Sequence, residues 1–240
     1  MSESILSCCL WTASDGWPLR VGTTVPAGAR GTILFLNGRA DFLEKYSHAY
    51  AIFRDWGLAV AALDWRGQGG SGRLADDRYK GHQDDFGRWL LDVDSWLESL
   101  SGSLPRPWFV VAHSMGGNIA LQLLHDRPAW FQAAVLMAPL LGLSTRPLPQ
   151  GAMRRLATWQ VRHGRGTRYA PGQTGYGPAQ HSTARFNLLT SDRALFDAER
   201  AELARQPELA LGGVTYGWID ACFRALDRIA GPGWPEAIAT

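Results

Sequence analysis

The chain has 240 residues, 46% of them hydrophobic and 19% charged, with a formal net charge of +2. That is long enough for one large domain with a substantial core, too apolar for a disordered chain, and too near neutral for a generic nucleic-acid or membrane binder. Cys8, Cys9 and Cys222 lack metal-ligand spacing, which argues against a disulfide framework or a zinc site and suggests a reducing compartment. The start MSESILSCCLWTASDGW lacks the basic segment and apolar run of a signal peptide, and no apolar stretch is long enough to cross a bilayer. A soluble cytoplasmic protein is the expectation. Arginine outnumbers lysine 22 to 2, which coding bias explains more readily than function.

In chain order, residues 9–13 and 17–23 flank the turn SDGWP and predict a hairpin. GTILFLN (31–37) is a short apolar run bounded by glycine, the pattern of a buried parallel strand. Residues 42–56 predict a helix ending at Gly57, with Leu43, Tyr46, Tyr50 and Phe53 on one face. LAVAALD (58–64) is a second buried strand, followed by the loop WRGQGGSGR. Residues 82–100 carry Phe86, Trp89, Leu90, Val93, Trp96, Leu97 and Leu100 at helical spacing. PWFVVAHS (107–114) is a third strand, 115–127 a helix stopped by Pro128, and FQAAVLMAP (131–139) a fourth strand.

Strand and helix alternating with short connections imply a mostly parallel sheet covered on both faces. The alternation then stops. Residues 140–185 are rich in Gly, Pro and Arg with one predicted helix near 151–163, and helical stretches follow at 190–206 and 216–230. The expected division is a core over 1–140, a cap insertion over 141–205 and a helical return to the core over 206–240. No internal repeat is present.

The stretch VVAHSMGGNIALQLLHDRP (110–128) places Ser114 on a turn from strand to helix, with Ala112 and Gly116 two residues either side. A nucleophilic serine on such a turn needs small neighbours, because the backbone is strained and packed closely. The amides at the start of the following helix can also stabilise negative charge there. The competing reading is a serine that only caps that helix. An oxyanion hole would use the amide of Met115 and one from the loop LNGRADF (36–42), where Gly38 permits a tight turn and the amide of Arg39 is the candidate donor. The alternative for that loop is an ordinary strand-to-helix turn.

NGRADFLEKY, LDWRGQGGSGR, YKGHQDDF and VVAHSMGGNIA, with PELALGGVTYGW after the cap, stand in an order and spacing that resemble the α/β-hydrolases. Within that fold they resemble the bacterial lysophospholipase and monoglyceride-lipase-like branch. The resemblance implies a serine hydrolase of carboxylic esters with no cofactor and an α/β-hydrolase fold. It departs from the family at the oxyanion loop, where H-G-x-G is common and this chain has Asn37-Gly38-Arg39-Ala40. Asp64, Arg66 and His82 match family positions read as structural.

In this fold the triad acid and histidine follow the nucleophile in chain order. His48, His82 and His113 precede Ser114, and His113 belongs to the elbow itself, pointing elsewhere. His125 lies about 16 Å along the helix, out of reach. His163 and His181 fall in the cap, and neither follows a strand. Asp192, Asp197, Asp220 and Asp227 have the polar spacing of solvated helix faces. The acid and base are therefore expected to be absent from these residues, with the last two parallel strands of the fold missing and the strand at 131–138 left as an exposed apolar edge. The expectation is a piece of a longer polypeptide, against a partner that covers the edge or a poorly stable chain; the alternative function is a catalytically incompetent fragment or binding scaffold. A change of bond to an amide also stays open, since the elbow does not specify the leaving group.

From Arg146 to Arg185 there are seven arginines and no acidic residue, interleaved with Trp159, Tyr169 and Tyr176. This suggests contact with anionic lipid or a phosphate-bearing headgroup, peripheral to the inner membrane, against the alternative of a solvated arginine-rich loop. No recognised nucleic-acid module accompanies the charge.

Overall fold

The apolar runs become the centre of one sheet in the structure, a computed structural model that describes residues 5–178 and 182–238. Its strands are β1 (Ser7–Thr12), β2 (Pro18–Thr24), β3 (Thr32–Leu36), β4 (Ala59–Leu63), β5 (Trp108–His113) and β6 (Ala133–Met137), in the order β1-β2-β4-β3-β5-β6. The N-terminal hairpin pairs antiparallel to β4, and β4, β3, β5 and β6 run parallel to one another. This is the α/β-hydrolase architecture expected from the sequence. Every residue of β3 and β4 is buried, because helices cover both faces.

Strand alternation divides those side chains between two cores. Ile33, Phe35, Val60 and Ala62 face α1 (Ser47–Asp55), packing with Leu43 and Tyr50. Leu34, Leu36, Ala61 and Leu63 face the other way, towards α2 (Phe86–Leu100), α3 (Met115–Asp126) and the later helix over residues 216–229. On α2, Phe86, Trp89, Val93, Trp96 and Leu97 are all buried, each contributing about 1.5–3 kcal/mol over exposure.

Three helical boundaries differ from expectation, each for a local reason. The helix expected from residue 82 starts at Phe86, because the Asp85 carboxylate accepts from the Gly87 amide and caps it. The stretch 42–56 opens as a tight 3-10 turn, Leu43–Tyr46, before α1 begins at Ser47. The stretch 190–206 is the second of two helices. After α4 (Gln150–Arg162), α5 (Thr183–Leu189) is capped by Ser182 and α6 (Arg193–Arg205) by Asp192. The final long helix, α7, spans Tyr216–Ile229.

Although α4 falls in the segment expected to be a cap, it buries Met153 and Ala157 in the main core. Thr158 there donates to Asp220 of α7 at 2.5 Å, and Arg154 pairs with Asp227. The exposed face of α4 carries Trp159, in tilted contact with the His163 ring and under Arg165. Among the described residues no strand pairs with the outer edge of β6. Val135 is 57% exposed there and Met137 41%. No helix of the described residues is long and apolar enough to cross a membrane.

Candidate active site

The chain leaves β3 for β4 on one side of the sheet and reaches β5 on the other, which opens a crevice at the carboxyl ends of β3 and β5. Ser114 stands at that point, directly after β5 and before α3. Its φ of 51° and ψ of −117° put a non-glycine residue in a region that costs about 1–3 kcal/mol. The surroundings fix it there. Its amide donates to the Met137 carbonyl at 3.0 Å, and its carbonyl accepts from Gly117 and Leu140, both at 2.9 Å. Asn118 ties the same loop from below, donating to the Leu140 carbonyl at 3.0 Å.

The Ser114 hydroxyl does not cap α3 and makes no hydrogen bond among the described residues. A capping serine would spend its oxygen on an amide of the first turn; this one leaves it facing the crevice. Gly116 answers the demand for small neighbours, since a Cβ there would lie 2.3 Å from the Leu36 carbonyl oxygen and 2.4 Å from that of Asn37. The first turn of α3 can therefore sit against the end of β3.

The loop after β3 is organised by a carboxylate that the sequence reading did not single out. Asp41 is buried and accepts from the Gly38 amide at 2.8 Å, the Tyr46 hydroxyl at 2.8 Å and Lys45 at 2.6 Å. Burial pushes the Asp41 carboxyl up, but the Lys45 charge and the hydrogen bonds outweigh it and hold the group well below the usual carboxylate range. Gly38 turns out to be needed for close approach and not for its φ, because a Cβ there would lie 2.7 Å from Asp41 Oδ2 and 2.9 Å from His113 Nδ1. Ala40 carries the positive φ instead, at 64°.

With the Gly38 amide taken by Asp41 and the Ala40 amide by Gln68 Oε1 at 2.7 Å, the Arg39 amide between them has no partner among the described residues. The Met115 amide, first in α3, is likewise unpaired there. Gln68 also reaches Met115 Sδ at 3.8 Å and so links the loop to the elbow. Asn37, where the family often has histidine, is buried and ties β3 to β4 through the Leu63 carbonyl at 3.2 Å.

None of the described histidines is hydrogen-bonded to the Ser114 hydroxyl. His113 Nδ1 lies 3.2 Å from the Tyr46 hydroxyl and 3.6 Å from Asp41, turned towards the loop. His82 bonds Thr215 at 2.8 Å, His125 stacks on Trp234, His163 reaches the Trp159 carbonyl at 2.7 Å, and His48 is exposed on α1. His181 lies outside the described residues. Asp192 caps α6, while Asp197, Asp220 and Asp227 pair with arginines. Asp64 accepts from the Leu43 and Gly70 amides, and Arg66 holds Asp92 in a two-point pair, so both stabilise loops. Among the described residues, no group of acidic, histidine and cysteine side chains could hold a metal ion.

A mostly parallel sheet of this order, with a strained serine turn at its carboxyl-end crevice, defines an α/β-hydrolase. The profile of the family described as serine aminopeptidase, S33, matches residues 27–232, and the chain belongs to that family. It is 31% identical over 214 residues to lysophospholipase L2 of Escherichia coli (strain K12), covering 87% of this chain and 61% of that protein. It is 32% identical over 111 residues to a monoacylglycerol lipase of Mycolicibacterium smegmatis, 46% of this chain and 38% of that one. The fold matches a soluble variant of monoglyceride lipase from Saccharomyces cerevisiae, with a TM-score of 0.67 at 18% identity over 97% of this chain and 73% of that one. The chain thus spans about three fifths of the length of the lysophospholipase relative.

Proposed function

We propose that Ser114 is the nucleophile of a serine carboxylic-ester hydrolase acting on lipid-like monoesters, lysophospholipids or monoacylglycerols. Its Oγ attacks the ester carbonyl, and the amides of Met115 and Arg39 hold the oxyanion of the tetrahedral intermediate. The intermediate collapses with release of the alcohol, which takes the serine proton by way of a histidine. Water then cleaves the acyl-enzyme by the same relay in reverse. That histidine and its acid come from outside the described residues. The observation that carries the reading is the strained backbone of Ser114 with its hydroxyl left uncommitted. The names of the relatives supply the ester class.

Labelling with an active-site-directed alkyl phosphonate tests it. Covalent labelling of the parent and none of Ser114→Ala is the expected result; equal labelling of both removes Ser114 from its role. The second reading, a scaffold that binds without turnover, is favoured by the absence, among the described residues, of any histidine hydrogen-bonded to the Ser114 hydroxyl. It predicts no Ser114-dependent labelling at all.

The same reading takes residues 141–205 as the cap over the site and the protein as cytoplasmic, in peripheral contact with anionic lipid of the inner membrane. Its support is the charge of residues 146–185, seven arginines without an acidic residue.

A further inference from the structure

The crevice over Ser114 is closed by α5 and α6 into a cavity of about 260 Å³. Four cationic side chains line it against two anionic ones. Lys45 accounts for both carboxylates, bonding Asp41 at 2.6 Å and Glu199 at 3.2 Å. The excess positive charge therefore rests on the arginines.

Two of these are placed in a way that folding alone does not require. The Arg39 guanidinium is half-buried and fixed, donating to the Gly212 carbonyl at 2.9 Å. Gly81 leaves room for it, since a Cβ at that position would lie 2.8 Å from Nη1. Arg185, on α5, faces the same cavity, and its side chain has no hydrogen bond or ion pair among the described residues. Burial, and then the Arg185 charge, push the Arg39 guanidinium down to about 10. Asp41 offsets this only in part, being bonded to Lys45, so a ligand anion between the two guanidinium groups would relieve their repulsion. Planar guanidinium forks suit a tetrahedral phosphate better than a carbonyl or hydroxyl. The same cavity is apolar towards Leu189 and Phe196, where an acyl chain can begin.

We propose that Arg39 and Arg185 form an anion subsite for the phosphodiester of a lysophospholipid headgroup, holding it while the acyl ester lies at Ser114. This rests on the ester-hydrolase reading above and narrows it: a monoacylglycerol has no group for the subsite.

The test is equilibrium binding to the full chain carrying Ser114→Ala, so that no turnover confuses the reading. The ligands are lysophosphatidylglycerol below its micelle concentration, the monoacylglycerol of the same acyl chain, and glycerol 3-phosphate. Lysophosphatidylglycerol should bind about tenfold tighter than the monoacylglycerol, the loss expected when a charge-assisted hydrogen bond is missing. Arg185→Ala should erase that difference and leave monoacylglycerol binding unchanged, while Arg185→Lys should retain part of it. Added salt should weaken only the phosphate-bearing ligand. An undiminished preference in Arg185→Ala, equal weakening of both lipids, or no binding of lysophosphatidylglycerol overturns the subsite. Glycerol 3-phosphate binding as tightly as the lysolipid, with the same Arg185 dependence, assigns the subsite to free phosphate esters and overturns the headgroup assignment. Phosphonate labelling of Ser114 is read separately. Labelling without the lysolipid preference removes the subsite alone, and the preference without labelling removes the nucleophile alone.

Discussion

Replacing Gly116 by alanine should destabilise the fold and silence Ser114 together. Both effects follow from one contact. In isolation the change favours α3, since alanine is better than glycine in a helix by about 0.8–1 kcal/mol. Against this, the new Cβ meets two backbone oxygens, Leu36 O at 2.3 Å and Asn37 O at 2.4 Å, where ordinary contact begins at 3.4 Å. Neither atom is the end of a flexible side chain. Either α3 or the end of β3 must move by about 1 Å, and overpacking of that kind costs about 1–3 kcal/mol or more. The net expectation is a loss of up to about 2 kcal/mol, with a fall in Tm of up to roughly 8 °C at this chain length. The shift also separates the Met115 amide from the Arg39 amide, so phosphonate labelling should slow at least tenfold. Gly151→Ala on α4 is the control. Nothing lies within 4 Å of its new Cβ, so only the helix-propensity gain remains and stability should rise slightly. The two variants are compared by urea unfolding and by labelling rate. A Gly116→Ala protein as stable and as reactive as the parent would refute the packing of α3 against β3 and the elbow geometry with it.

Asp41→Asn should lower stability at neutral pH by roughly 1–3 kcal/mol, the cost of breaking a buried hydrogen-bonded charge cluster. Because the folded carboxyl is held below its usual value of 3.8, its contribution is fully present above that pH and is lost as the pH falls through the folded value. The acid limb of the parent's unfolding curve should therefore be steeper than that of the variant, and parallel curves would contradict the assignment. Thiol titration of the native chain should count two reactive cysteines, the exposed Cys8 and Cys9, and three after unfolding. Cys222 is buried and its thiol is pushed up to about 12, so native reactivity of all three thiols would mean that α7 does not pack as described. Val135→Lys, on the open edge of the sheet, should reduce self-association in light scattering without lowering Tm, since the side chain it replaces is largely exposed.

The core strands could be read directly from the sequence. A parallel strand covered on both faces must be apolar at every position, and GTILFLN and LAVAALD meet that demand without help from distant residues. The serine turn was equally legible, because its constraints lie within two residues of Ser114. The loop opposite was not. Asp41 looks like any loop carboxylate, and its partner His113 is brought to it only by the pairing of β3 with β5. Its Asp41–Lys45 spacing was the one local signal available. The sequence points to Arg39 for its amide alone, while its guanidinium finds the Gly212 carbonyl 173 residues further along the chain. The starts of α2 and α6 lie a few residues inside the periodic stretches because side-chain caps, Asp85 and Asp192, override the apolar periodicity.

The edge strand and the elbow are mechanically one unit. The Ser114 amide is held by Met137, the last residue of β6, and its carbonyl by Leu140, three residues beyond. Ala138 between them is itself at a positive φ of 43°, so two strained residues face each other across the turn. Strain of this kind persists only where the surroundings over-determine it, and β6 supplies half of those surroundings. Yet β6 is paired on one side alone among the described residues and shows Val135 and Met137 to solvent. Fraying of that strand would release the Ser114 amide first and let its φ relax. Whatever stabilises the outer edge of β6 therefore also stabilises the geometry of the Ser114 turn, and the labelling rate of Ser114 reports on the strand as much as on the serine.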